Sequence, residues 1–117
     1  MSWGTLDRGI ITGRVTRRRA FDKYDARRGA PWWKKDVVKR KLQAMEEIRT
    51  ILEGHSGLEL ALGFVLRHPE VSTALCGIRS EEQLDSVLAA CQNLPEESIL
   101  DRAGAIARRL VPPEPYW

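Results

Sequence analysis

A chain of 117 residues, 43% of them hydrophobic, is long enough for one hydrophobic core and too short to divide into two. No apolar run approaches the roughly 18 to 20 residues of a membrane span, and Met1 to Ile10 lacks the apolar stretch of a secretory leader, so a cytoplasmic protein is expected. The net charge of +3 hides an asymmetry: between Arg8 and Lys41 thirteen Lys or Arg stand against three acids (Asp22, Asp25 and Asp36), while the remaining residues sum to minus seven. A basic arm on an acidic body suits nucleic acid, a phosphorylated ligand, or the acidic body of a second copy.

In chain order, Gly4, Gly9 and Gly13 punctuate the first segment, whose strong apolar pair is Ile10 and Ile11, so a turn with at most a short strand or helical turn is expected. Residues 14–33 read as irregular and basic. Trp32 and Trp33 beside Lys34 and Lys35 suit stacking on bases or on a planar ligand. With no recognised nucleic-acid motif beside them, they read first as anchors of a solvated loop.

From about Lys34 the pattern changes. Val38, Leu42, Met45, Ile48 and Leu52 recur at three- and four-residue steps, which predicts one helical face, with Gly54 as the stop. Ser56 to Glu59 is a capping box that opens a second helix, in which Leu58, Leu60, Ala61, Leu62, Phe64, Val65 and Leu66 leave almost no polar face, so this helix is expected at the centre of the fold. After Pro69 comes one β-capable run, Val71 to Cys76, ending at Gly77. Ser80 to Gln83 forms another capping box, opening a helix with Leu84, Val87, Leu88 and Cys91 on one face. Pro95 suits the first turn of a last helix burying Ile99, Ala103, Ile106 and Leu110, and the proline-rich tail from Val111 cannot be helical. The expected domain is single and mainly α: a glycine-punctuated basic arm over 1–33, a helical body over 34–110 and a tail over 111–117.

The lone strand poses a physical problem, because burying unpaired backbone groups costs on the order of a kcal/mol or more each. Val71 to Cys76 must pair with residues around Ser2 to Leu6, with its own copy in a homo-oligomer, or with another protein. Cys76 and Cys91 lie in segments that read as buried and are expected to be reduced core residues. His55 and His68, with no cysteine pair near them, fit no zinc spacing, so no metal is expected.

Two stretches carry a family resemblance. WGTLDRGIITGRV, followed by GHSGLELALGFVLRHPEVSTALCGIRSEEQL, resembles the C-terminal part of the aldo-keto reductases, NADPH-dependent oxidoreductases built on a (β/α)8 barrel. The resemblance runs from Trp3 to roughly Leu94 and implies a remnant of the last βα units of that barrel. It implies that Gly4, Leu6 and Gly9 occupy the backbone turn that holds the cofactor pyrophosphate. It further implies that Gly77, Arg79 and Gln83 match the family pattern G-x-R-x-x-x-Q-L-x-x-N, which contacts the 2′-phosphate and adenine of NADP(H). Val87 replaces the asparagine of that pattern and cannot hydrogen-bond the adenine. The physics of the residues agrees: Ser80 and its neighbours offer amides at a helix N-terminus, and Arg79 adds a fork-shaped donor suited to phosphate oxygens.

The family's catalytic aspartate, tyrosine, lysine and histidine belong to earlier strands and loops, a region this chain does not contain; Tyr24 and Tyr116 stand in other contexts. An autonomous NADPH-dependent carbonyl reductase is therefore not expected. The leading reading is a truncated aldo-keto-reductase-like protein that binds a cofactor phosphate and serves as an accessory subunit in an oxidoreductase pathway. The alternatives are a repurposed small homo-oligomeric biosynthetic enzyme acting on an organic metabolite, with His55, His68, Asp22, Tyr24 and Asp25 as candidate acid-base groups, and polyanion binding through the basic arm. Asp22 and Asp25 read equally as counter-charges to the arginines around them.

Overall fold

The computed structural model describes residues 1–30, 33–111 and 113. Among these, four α-helices follow a single 3-10 turn at Asp7–Gly9: α1 (Lys35–Arg49), α2 (Gly57–Leu66), α3 (Glu81–Cys91) and α4 (Glu97–Leu110). The fold is mainly α, as its sequence pattern predicts. The stacking role considered for Trp32, and Tyr116 with most of the proline-rich tail, lie outside the described residues.

α1 turns its apolar stripe onto α4. Leu42, Met45 and Ile48 are buried against Ile99, Leu100 and Ala103, with Ile10 and Val15 of the arm and Leu60 of α2 completing the cluster. Leu52 joins it from beyond the helix end, because α1 stops at Arg49 rather than near Gly54. Burying such side chains stabilises by about 1.5–3 kcal/mol each, which is what holds these elements together.

α2 starts as a full capping box: Ser56 Oγ accepts from Glu59 N–H at 3.1 Å, and a Glu59 carboxylate oxygen accepts from Ser56 N–H at 3.0 Å. Its first residue must be glycine, since a Cβ at Gly57 would collide with the Ile11 carbonyl. Two turns on, Gly63 lets Pro95 and Leu100 approach, where a Cβ would meet Leu100 Cδ2 at 3.3 Å. Leu60, Ala61, Leu62 and Gly63 are buried, whereas Leu58, Phe64, Val65 and Leu66 remain half-exposed, so α2 is central over its middle turn rather than throughout.

The β-capable run finds its partner within the chain. Ser2 and Ala74 form a parallel bridge: Ser2 N–H donates to Thr73 O at 2.8 Å and Leu75 N–H donates to Ser2 O at 2.9 Å. That is the sole β-bridge among the described residues, so most of Val71–Cys76 is extended chain without a ladder.

Several local expectations shift. Pro95 lies ahead of α4 and before its N-cap, Glu96, rather than in the first turn; the sequence spacing placed it two residues too far in. The Ser80–Gln83 box is half-formed, because Gln83 Oε1 accepts from Arg79 N–H at 2.9 Å instead of from Ser80. The face bearing Leu84, Leu88 and Cys91 is exposed, and Cys76 is half-exposed, so the two cysteines are free thiols but not core residues. The apolar spacing of α3 is real, but Leu84 and Leu88 stay exposed while Val87 and Cys91 border a groove beside α2.

Candidate functional site

Parallel pairing at Ser2 and Ala74 sends both segments out of the same end of the bridge, and neighbouring parallel strands lie about 4.8 Å apart. The turn that follows Ser2 and the turn that follows Cys76 are therefore neighbours. Gly4, Leu6 and Gly9 stand on the first; Gly77, Arg79 and Gln83 stand on the second or on α3.

The first turn is strained. Asp7, Arg8 and Gly9 take φ of 42°, 54° and 94°, the left-handed region that costs a non-glycine residue about 1–3 kcal/mol. Two cations from distant parts of the chain hold it: Lys41 Nζ donates to Asp7 Oδ1 at 3.0 Å, and Arg27 Nη1 donates to the Arg8 carbonyl at 2.8 Å. Beside it, the Thr5 hydroxyl oxygen is buried with no hydrogen-bond partner among the described residues. An orphaned buried polar atom of this kind marks a place where a partner is owed.

On the second turn, Arg79 is exposed, and among the described residues its guanidinium has no hydrogen-bond or ion-pair partner. Its backbone amide is fixed by Gln83 Oε1, which leaves the Gln83 side-chain amide NH2 as a donor. The α3 N-terminus is less open than the sequence suggests. Ser80 Oγ takes the Gln83 amide at 3.2 Å. The Glu82 carboxylate folds back on its own amide and the Ser80 hydroxyl, which pull its pKa below the usual carboxylate range. The Arg79 guanidinium and the Gln83 side-chain amide NH2 are donors chemically suited to phosphate oxygens. Val87 is directed elsewhere, lining a groove of about 430 Å³ with Leu62, Leu66, Ile78 and Cys91 between α2, α3 and the extended segment.

The five acid-base candidates do not form one cluster. His55 Nδ1 lies 2.9 Å from the Glu59 carboxylate that closes the α2 cap. Burial would raise the Glu59 pKa, but the Ser56 amide, His55 and Asn93 outweigh it and leave it lowered. His68 is exposed at the end of α2, edge-on to Phe64 at 6.1 Å. Tyr24 is 84% exposed, too open for general acid work in a water-poor pocket, and Asp22 accepts from its backbone amide at 3.0 Å.

Asp25 is the exception. Its carboxylate accepts from Arg27 Nε at 2.8 Å, Arg27 Nη2 at 2.5 Å and Arg27 N at 3.0 Å. The hydrogen bonds from the Arg27 side chain, and then from its amide, hold the Asp25 carboxyl well below the usual range, with Arg79 near enough to add to the effect. The Arg27 guanidinium lies 4.2 Å from the Phe21 ring centroid and 6.0 Å from that of Trp33, which are themselves edge-to-face. Trp33 is thus an anchor of the loop. Sequence reasoning foresaw Asp25 as a counter-charge but missed Arg27; the signal available was D-x-R within reach of aromatic residues.

Burial pushes the Cys76 thiol up, with Cys91 adding to the shift, so Cys76 is not poised as a thiolate. No helix among the described residues is long and apolar enough to cross a membrane.

A mainly helical chain with a single parallel β-bridge among its described residues matches part of a (β/α)8 barrel. The chain belongs to the aldo/keto reductase family, whose model matches residues 1–103. It is 31% identical over 88 residues to the aldo-keto reductase YhdN of Bacillus subtilis (strain 168), an alignment covering 73% of this chain and 27% of that protein. Among solved structures, it resembles the glycerol dehydrogenase AKR11B4 from Gluconobacter oxydans with a TM-score of 0.80 and 29% identity, over 100% of this chain and 37% of that one. The chain therefore spans about a quarter to two fifths of the length of these relatives.

Proposed function

We propose that this chain binds the adenosine-phosphate end of NADP(H) and acts as a binding or accessory part of an oxidoreductase, with the groups that protonate a carbonyl supplied from outside it. The observation that carries this reading is the Arg79 guanidinium, exposed after Gly77 and without a hydrogen-bond or ion-pair partner among the described residues, with Gln83 fixing its backbone. Arg79 would hold the 2′-phosphate through parallel N–H donors, the geometry in which guanidinium exceeds ammonium. The Gly4–Gly9 turn would carry the diphosphate on its backbone, its left-handed path held by Lys41 and Arg27. The nicotinamide, when bound, supplies hydride; the residues of this chain position the other end.

Val87 gives the adenine an apolar contact at most, so the phosphate should contribute most of the selectivity. The missing partner would attach where the fold is open, at the exposed Leu75, Ile78, Leu84 and Leu88 and along the unladdered extended segment, with a second copy of this chain as the competing occupant.

Calorimetric titration of the purified chain with NADPH and NADH tests the reading. NADPH is expected to bind at least about tenfold tighter, a difference of about 1.4 kcal/mol. Equal affinity for the two cofactors, or none for either, would refute it.

A further inference from the structure

The segment from Asp22 to Arg28 reaches the strained Asp7–Gly9 turn through Arg27 and brings the Asp25 carboxylate with it. Arg27 is clipped three times to Asp25, reaches the Arg8 carbonyl of the strained turn at 2.8 Å, and lies where a Cβ on Gly9 would meet its Nη1 at 3.7 Å. The parallel bridge at Ser2 and Ala74 sets that turn beside Gly77 and Arg79. Through Arg27, Asp25 thus stands beside the Arg8 carbonyl of the strained turn. On the same turn, Asp7 is engaged by Lys41 and by Arg8.

We infer that Asp25 is the internal counter-anion of the phosphate site: it holds Arg27 against the Gly4–Gly9 turn, and a nucleotide phosphate binds in competition with it. The inference rests on the nucleotide reading above and adds how the site is regulated from within. It makes Arg27 a second phosphate-facing cation. Its stacking on Phe21 and Trp33 keeps the guanidinium near the turn when the carboxylate is displaced. It also gives opposite signs to two neighbouring substitutions. Asp25→Asn removes the competitor and leaves both guanidiniums. Arg27→Ala removes a cation and releases an unneutralised carboxylate.

The experiment is binding of adenosine 2′,5′-bisphosphate to the full chain, measured for wild type, Asp25→Asn, Arg27→Ala and Arg79→Ala. Asp25→Asn is expected to tighten binding about three- to fivefold and Arg27→Ala to weaken it by a similar factor, the scale of a partly exposed charge pair. If the clip served only to shape the loop, both substitutions would loosen the same segment and move affinity in the same direction. That result, or no change from Asp25→Asn while Arg79→Ala abolishes binding, overturns the counter-anion and leaves the nucleotide site standing. Failure of both wild type and Asp25→Asn to bind removes the nucleotide site and this inference with it.

Discussion

The α1–α4 pair and the Val71–Cys91 stretch read alike in sequence, each a run of apolar residues at regular spacing, yet they end in opposite environments. Leu42, Ile48, Ile99 and Leu100 are all at most 8% exposed, whereas Leu75, Leu84 and Leu88 are 48%, 44% and 56% exposed. The difference is not in helix quality, for α3 has a serine cap and α1 has none. It lies in what stands opposite. α1 and α4 complete each other, while α3 and the extended segment present a face whose counterpart is not among the described residues. Periodicity identifies which face is apolar; it does not say what covers it.

The comparison can be broken from its strongest side first. Leu100→Ala empties the shared core of α2 and α4 and is expected to destabilise by about 2–5 kcal/mol, read by chemical denaturation. Gly57→Ala drives a methyl into the Ile11 carbonyl and should cost about 1–3 kcal/mol by forcing the arm away from α2, visible as a lowered melting temperature. Ser56→Ala removes one half of the α2 cap at a cost of about 1 kcal/mol. On the open side, Leu88→Ser should leave stability within about 0.5 kcal/mol, because the side chain is already largely in water. Sedimentation of that variant is expected to show weaker association with whatever occupies the face, and an unchanged association at altered stability would reverse the contrast.

The α2 cap also has a pH signature. The Glu59 pKa is lowered in the folded chain, so its contribution is present above the unfolded value near 4.5 and is lost as pH falls through the folded value. Stability should therefore decline on acidification below about pH 4.5, and Glu59→Gln should flatten that part of the profile relative to wild type. A profile with the same acid slope in both proteins would remove Glu59 from the account.

How much of this was legible beforehand varies with the kind of information needed. Ser56 and Glu59 lie within one helical turn, so the cap could be read outright. The four helices followed from spacing, and the parallel contact of Ser2 with the extended segment was one of three partners that backbone accounting allowed. The positions matching the family pattern, Gly77, Arg79 and Gln83, were visible through resemblance. What sequence could not provide were contacts set by folding of the basic arm: Arg27 crossing to Arg8, and Lys41 to Asp7. Each depends on where a loop of many arginines settles, and their spacing does not distinguish which cation finds which acid. The exposure of Cys91 and Leu88 was illegible for the reason the opening contrast gives.

The central claim is that Arg79 reads a phosphate, and the most direct test is a difference of differences: the loss in affinity on Arg79→Ala measured for NADPH, compared with the same loss measured for NADH. The account expects a loss of roughly tenfold or more for NADPH, the scale of one charge-assisted guanidinium contact, and little change for NADH. Equal losses for both, or none, would mean that Arg79 does not contact the 2′-phosphate and would contradict the account.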